Sequence, residues 1–199
     1  NLASSKPEEA VTTHPAVFRA VGRLFQEQGY KKLTYGDSPG FEKPGVSLAK
    51  SGFSLVAGEL SIPLGDFESG KRVDFPEGRA WKSFDIATAV LESDALVSLS
   101  KMKTHALARI TGAVKNQFGC IYGLNKAVFH VKLPMGTQFS RMLVDLNRLL
   151  KPRLFIMDGI VAMEGNGPRG GTPRHMNCLL FSTDPVALDA TFCRLINLD

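Results

Sequence analysis

A dense group of basic side chains follows a short apolar run near the middle of this 199-residue chain. The run is Ala-Leu-Val-Ser-Leu at 95–99, and the segment after it contains Lys101, Lys103, His105 and Arg109. Grouped cations can hold an anion, and a lysine or histidine can transfer protons when burial tunes its pKa. We therefore predict that Lys103 and His105 are catalytic groups. The alternative is a solvated loop that carries ordinary surface lysines.

A second polar segment, Thr-Gly-Ala-Val-Lys-Asn-Gln-Phe-Gly, occupies positions 111–119. Small residues followed by Lys115 and Asn116 indicate a tight helix whose polar end faces a site. We predict that Lys115 is a third catalytic group. Asn116 can both donate and accept hydrogen bonds, so it could fix the orientation of a ligand. His14 and Lys126 are further predicted ligand contacts. The alternative for 111–119 is a capped surface helix.

A glycine-rich segment at 164–172 is the third candidate, because four glycines free backbone amides to turn toward an anion. We predict ligand contacts from Gly165, Gly167 and Arg169, with a structural surface loop as the alternative. The string also matches the dinucleotide fingerprint, but no strand directly precedes it and no helix follows. It has P-loop spacing too, although Gly171 stands where the essential lysine would be. Both motif assignments are therefore rejected.

Three aspartates lie at or near predicted strand ends. Asp37 and Asp158 could bind a divalent cation or ribose hydroxyls, whereas Asp184-Pro185 is typical of a helix N-cap with proline at the first helical position. The four histidines fit no standard zinc spacing, and a metal held by distant histidines stays open. The three cysteines are too far apart for a disulfide framework or an iron–sulfur site within this chain.

Composition restricts the partners. The net charge of +5 suggests acidic or phosphorylated small ligands. Nucleic-acid binding is disfavoured, because the basic run lacks interleaved aromatic residues and the chain has one Trp and three Tyr. No apolar stretch approaches the roughly 18 residues of a membrane helix. The polar start and the unpaired cysteines favour a cytoplasmic protein.

The predicted elements alternate between strands and helices. Predicted helices cover 13–28, 46–58, 110–118, 137–150 and 186–196, and predicted strands cover 31–36, 62–67, 81–86, 95–99, 153–157 and 178–182, with loops at 68–80 and 159–176. This order predicts an α/β fold with a mostly parallel sheet flanked by helices in Rossmann-like layers. We predict one domain over 1–199, with 68–92 and 120–136 as excursions or a small subdomain. Ligands of such sheets bind at the carboxyl ends of the strands, which would bring the candidate segments together.

The candidate segments occur in an order that resembles the domain of unknown function 362 family over nearly the whole chain. The matching pieces are Thr12-Thr13-His14-Pro15, Gly36-Asp37-Ser38-Pro39, Lys101-Met102-Lys103-Thr104-His105, Ala113-Val114-Lys115-Asn116-Gln117-Phe118-Gly119, Asp158-Gly159 with Glu164-Gly165-Asn166-Gly167-Pro168, and Thr183-Asp184-Pro185-Val186-Ala187-Leu188-Asp189. The resemblance implies a fold truncated at both ends, with a strand before Asn1 and further chain after Asp199. It also implies an association with iron–sulfur proteins, through a ferredoxin-like domain or partner. A fainter similarity is to nickel-pincer lactate racemases, and it transfers no catalytic residues.

Two functional hypotheses remain open at this stage. The first is an enzyme-type domain that binds a small anionic ligand, with redox coupling through an iron–sulfur module in longer relatives. The second is a non-catalytic module that presents a scaffold to an electron-transfer partner. An exposed apolar patch without a cleft around His105 would favour the second.

Overall fold

The computed structural model describes residues 2–38, 44–123, 126, 129, 132, 133 and 135–198, with the backbone alone at 44–46. The helices are α1 (Pro15–Glu27), α2 (Pro44–Lys50), α3 (Phe53–Leu60), α4 (Thr88–Leu91), α5 (Ala113–Asn116), α6 (Gly136–Leu150) and α7 (Pro185–Leu195). The strands are β1 (Gly70–Asp74), β2 (Ser83–Ala87), β3 (Val97–His105), β4 (Arg109–Ile110), β5 (Leu154–Asn166) and β6 (Gly170–Ser182). Short 3-10 helices cover Pro7–Glu9 and Gln117–Cys120. The predicted α/β class is confirmed.

The main sheet has the strand order β4-β3-β5-β6. Its central pair, β3 and β5, is parallel, whereas β4 pairs with β3 and β6 pairs with β5 in antiparallel orientation. The described sheet is therefore mixed, around one parallel pair. Strands β1 and β2 form a separate antiparallel ribbon within the predicted excursion at 68–92. The division into one domain and a small subdomain stays a prediction.

The long β5–β6 hairpin replaces the loop that the sequence predicts at 159–176. Only positions 167–169 connect the two strands, and a connection this short can join two strands only when they are antiparallel. The glycines of the 164–172 segment therefore belong to a β-hairpin and its tight connection. Gly165 takes a positive φ of 77°, and Gly167 lies directly against β3, where an added Cβ would approach Thr104 O to 2.1 Å.

Strand β3 also extends further than predicted. It continues through 100–105, so Lys101 and Lys103 lie inside a buried strand, and the alternative of a solvated loop with surface lysines does not apply to them. Charged residues rarely occupy such positions unless partners compensate them. Apolar periodicity ends at Leu99, which is why the sequence pattern ends the strand too early.

The amino-terminal part contains one confirmed helix and two strands that were predicted wrongly. Helix α1 begins one residue after His14, whose Nδ1 accepts a hydrogen bond from Ala16 N at 3.1 Å and caps the helix. Thr13 Oγ1, one residue earlier, donates a hydrogen bond to Leu99 O at 2.9 Å. The segments 31–36 and 62–67 share a single bridge between Tyr35 and Leu64. The predicted helix at 46–58 is two helices, α2 and α3.

The carboxyl-terminal helices agree with prediction. Helix α6, predicted over 137–150, buries an apolar stripe that includes Phe139, Met142 and Leu146 against the largest core cluster. The Asp184 carboxylate accepts hydrogen bonds from Val186 N and Ala187 N and so caps α7, as its sequence context indicates. A second cluster packs α7 against β5 and β6, and a third joins α1 to α3. These contacts hold the strands that carry the candidate residues.

Candidate functional site

Two lysines at adjacent same-face positions of β3 point toward the amino-terminal segment. Lys101 lies directly opposite Asp158 in the parallel β3–β5 pair, and its Nζ is 2.8 Å from Asp158 Oδ2. The same carboxylate accepts hydrogen bonds from His14 N at 2.8 Å and from Ile160 N at 3.1 Å. Both side chains are almost fully buried. Burial lowers the pKa of Lys101, and Asp158 opposes that effect.

Lys103 is as buried as Lys101 but has different partners. Its Nζ donates hydrogen bonds to two main-chain carbonyls, Val11 O at 2.6 Å and Pro168 O at 3.2 Å. It therefore ties the amino-terminal segment to the hairpin connection. Burial, followed by repulsion from Lys115, lowers the pKa of Lys103 to about 7. At neutral pH a large fraction of this amine is uncharged.

Lys115 and Lys126 both approach the ring of Phe118. Their Nζ atoms are 6.0 Å and 5.6 Å from the ring centroid, within the range of cation–π contacts. Lys126 Nζ also donates to Ser38 O. Burial and the charge of Lys126 lower the pKa of Lys115 to about 8, and burial lowers the pKa of Lys126.

Asp37 is the carboxylate that faces these cations. It raises the pKa of each of the three lysines against the effect of burial. Its Oδ2 accepts a hydrogen bond from Leu2 N at 2.8 Å, and an added Cβ at Gly119 would lie 2.3 Å from its Oδ1. We call the set Lys103, Lys115, Lys126, Arg169 and Asp37 the lysine cluster. Arg169 joins it from the hairpin connection as an exposed side chain that lowers the pKa of Lys103.

The short helix α5 presents Lys115 and Asn116 to this region. Asn116 Nδ2 donates to Ser98 Oγ at 2.9 Å, which fixes the amide against β3. Its Oδ1 is buried and has no hydrogen-bond partner among the described residues. Such an atom is costly when it stays unpaired, so it is available to a ligand that brings an N–H or O–H donor.

Asp189 belongs to the same region, and its place within a predicted helix leaves open whether it faces the site or solvent. From helix α7 its carboxylate accepts hydrogen bonds from Ala113 N at 2.5 Å and Val114 N at 3.0 Å, which caps α5. Only glycine fits at position 112, where a Cβ would lie 2.0 Å from Asp189 Oδ1. Burial raises the pKa of Asp189 to about 6. The sequence signal that could have indicated this role is a single aspartate next to Leu188 in an otherwise apolar stretch of α7.

The structure thus brings together many of the predicted site residues, while their roles stay predictions. Gly167 lies beside β3 and Gly165 in the nearby hairpin. His105 lies at the end of β3, where its Nδ1 accepts hydrogen bonds from Leu107 N and Ala108 N and shapes the turn to β4. His14 uses Nδ1 as a helix cap. His130 and residues 39 and 40 lie outside the described residues.

The predicted metal carboxylates have protein partners of their own. Asp158 is paired with Lys101, and Asp37 faces the lysine cluster. Within the part of the chain that the structure describes, no three His, Cys, Asp or Glu residues are grouped to hold a metal ion. A metal at Asp37 or Asp158 therefore has no support from the geometry.

Comparison with known proteins shows the family. The model of the family described as domain of unknown function 362 matches residues 1–194, so the chain belongs to that family. The chain is 34% identical over its full length to a thylakoid-associated protein of Synechocystis sp., of which it spans 61%. The predicted family membership is confirmed.

The fold is similar to that of a solved enzyme. The lactate racemase apoprotein from Thermoanaerobacterium thermosaccharolyticum superposes with a TM-score of 0.60 at 13% identity, over 96% of this chain and 47% of that one. At this identity the likeness concerns the fold alone. Within the described part of the chain, no helix is long and apolar enough to cross a bilayer. A cytoplasmic location stays a prediction.

Proposed function

We propose that this member of the domain of unknown function 362 family is an enzyme-type domain that binds a small anion at the lysine cluster and uses Lys103 to transfer a proton. The observation that carries the proposal is the charge of the cluster. Among the described residues, the cluster has one carboxylate, Asp37, and four cations; of these, Lys103 is buried and Lys115 and Lys126 are half-buried.

Such an arrangement has an energetic consequence. Buried like charges repel each other, and each lysine lowers its charge by losing protons more easily. An anion among them would offset the repulsion and restore the protonated state. Anion binding and proton uptake are therefore coupled at this site, and by linkage the affinity for an anion should fall as the pH rises through the lowered pKa values of Lys103 and Lys115.

The position of Lys103 also suits proton transfer. A general acid or base works best when its pKa lies near the working pH, and the pKa of Lys103 is about 7. Main-chain carbonyls of Val11 and Pro168 hold its Nζ in place. Asn116 Oδ1 would accept a hydrogen bond from a hydroxyl or amide of the ligand, and the other predicted contacts, Gly165, Gly167 and Arg169, would close the site from the hairpin.

Isothermal titration of sulfate and, separately, of malonate tests the proposal. Neither probe is the natural ligand, but both are small anions that hold their charge at pH 8. We expect proton uptake on binding at pH 8, seen as a heat that depends on the ionisation enthalpy of the buffer. Lys103→Gln should weaken binding about 10- to 100-fold, which corresponds to the loss of one charge-assisted hydrogen bond. Lys71→Gln, at an exposed position of β1, is the matched control. Equal affinities for wild type and Lys103→Gln would remove the proposed site.

The same titration separates the alternative, a non-catalytic scaffold module. A scaffold has no reason to couple anion binding to proton uptake, so neither probe would produce a buffer-dependent heat. Coupling to an iron–sulfur module in longer relatives, as the family resemblance implies, remains part of the proposal and concerns chain beyond these 199 residues.

A further inference from the structure

We propose that a cavity at the amino-terminal ends of β3 and β5 binds a straight acyl chain of medium length that ends in a carboxylate, such as octanoate. The cavity has a volume of about 280 Å³. This inference goes beyond the proposed function, because it adds a second binding site that does not involve the lysine cluster.

The cavity lies where the two parallel strands begin. Leu96 and Arg153 both line it, and Arg153 N donates a hydrogen bond to Leu96 O at 2.9 Å. Leu96 directly precedes β3 and Arg153 directly precedes β5, whereas Lys103 lies near the far end of β3. The seven positions from Leu96 to Lys103 correspond to roughly 23 Å along a strand. The cavity and the lysine cluster are therefore separate sites.

Apolar side chains from three parts of the fold line the cavity. They come from the β1–β2 ribbon, from α4 and from the last turn of α6, and include Val73, Ile86, Val90, Leu91, Leu149 and Leu150. Leu91 is 43% exposed, and Leu149 and Leu150 are half-buried. An apolar chain bound here would withdraw these side chains from water, which favours binding.

The volume sets the length of the chain. A methylene group takes about as much room as a water molecule, whose share of liquid volume is about 30 Å³. Dividing 280 Å³ by this value gives room for about nine non-hydrogen atoms. A chain the length of octanoate can therefore place its apolar part in the cavity and its head group at the edge.

The charges at the edge of the cavity favour an anionic head group. Lys151 and Arg153 line the cavity with exposed side chains, and Asp94 is the carboxylate among the lining residues. Two cations against one carboxylate leave one net positive charge, which favours a carboxylate ligand over an ammonium ligand. The planar guanidinium of Arg153 can also donate to both oxygens of a carboxylate. The ligand class thus follows from the apolar lining together with the charge.

Titration with sodium octanoate, followed through methyl resonances in ¹H–¹³C correlation spectra, tests the inference. The methyl groups of Leu91, Leu149 and Leu150 should shift together along one saturation curve. Those of Leu188, which packs in the core between α7 and the main sheet, should not shift. Hexanoate, which is two methylene groups shorter, should bind about tenfold more weakly.

Variants separate the contribution of the chain from that of the head group. Leu91→Asn should weaken octanoate binding about threefold to tenfold. The matched control is Leu195→Asn, because Leu195 is also on a helix and 47% exposed but does not line the cavity, and this variant should bind octanoate as the wild type does. The double variant Lys151→Gln/Arg153→Gln should weaken octanoate binding about threefold to tenfold and leave the binding of octanol unchanged.

Three results would overturn the inference. Methyl shifts scattered over the surface, or equal effects of Leu91→Asn and Leu195→Asn, would show that octanoate does not occupy the cavity. Equal binding of octanoate and octanol, with no effect of the double variant, would refute the anionic head group. Sedimentation of the protein with phosphatidylglycerol vesicles, without binding of free octanoate, would assign the surface to a bilayer lipid in place of a free carboxylate.

Discussion

The buried pair between Lys101 and Asp158 provides the sharpest test of the energetics. Asp158→Asn keeps the volume of the side chain and removes its charge, so a cavity cannot explain the result. Lys101, at 1% exposed, would then face a neutral amide in place of a carboxylate 2.8 Å away. His14 N and Ile160 N would also lose a charged acceptor. Breaking one side of a buried ion pair costs about 3–5 kcal/mol, and we expect the free energy of unfolding to fall by that amount.

Urea unfolding followed by far-UV circular dichroism measures this change. The exposed pair between Glu164 and Arg174 has the same 2.8 Å separation, with both side chains more than half exposed. Glu164→Gln is therefore the matched control, with an expected loss below about 1 kcal/mol. The double variant Lys101→Met/Asp158→Asn removes both charges and should be more stable than the two single losses predict, by about 1–3 kcal/mol. Similar small losses in Asp158→Asn and Glu164→Gln would refute the reasoning.

Two further variants test how the site is held. Gly167→Ala would place a Cβ 2.1 Å from Thr104 O and should lower the free energy of unfolding by about 1–3 kcal/mol. The control is Gly58→Ala in α3, where a Cβ meets nothing within 4 Å, and it should raise the free energy of unfolding by about 0.5–1 kcal/mol. Equal effects of the two substitutions in urea unfolding would contradict the close approach of Gly167 to Thr104. Folding raises the pKa of Asp189 from 3.8 to about 6, so the native state takes up protons and its stability falls as the pH rises from about 4 to about 6. In Asp189→Asn this part of the pH dependence should disappear, so plots of the free energy of unfolding against pH should differ in slope by about 1 kcal/mol per pH unit between the two proteins. Parallel plots would show that the Asp189 carboxyl is not protonated on folding.

The helices were predictable because their patterns are local. The apolar stripe of α6 repeats over four turns. Pro152 follows the end of α6, and Asp184-Pro185 marks the start of α7. The two wrong strands, 31–36 and 62–67, show the limit of the same method. Their residues suit strands, yet they share one bridge, because strand formation depends on a partner elsewhere in the chain.

The sequence predicted which residues belong to the candidate site better than it predicted how they are arranged. The sequence indicated Lys103, Lys115 and the glycine segment as neighbours, since all follow or flank buried strands. It could not separate Lys101 from Lys103, because the difference is the presence of Asp158, 57 positions away in the sequence and directly opposite in the sheet. It also left the role of Asp189 open, because this residue acts as a cap only when α7 packs against α5.

The structural pair and the lysine cluster are electrostatically linked. Asp158 favours the ammonium form of Lys101, and the charge of Lys101 is among the cations that lower the pKa of Lys103. A lysine left without its carboxylate at such depth would tend to lose its proton, because burial is the largest influence on its pKa. The repulsion that it exerts on Lys103 would then disappear. Asp158 therefore contributes twice: it stabilises the contact between β3 and β5, and it maintains a positive charge beside the amine to which we assign the chemistry.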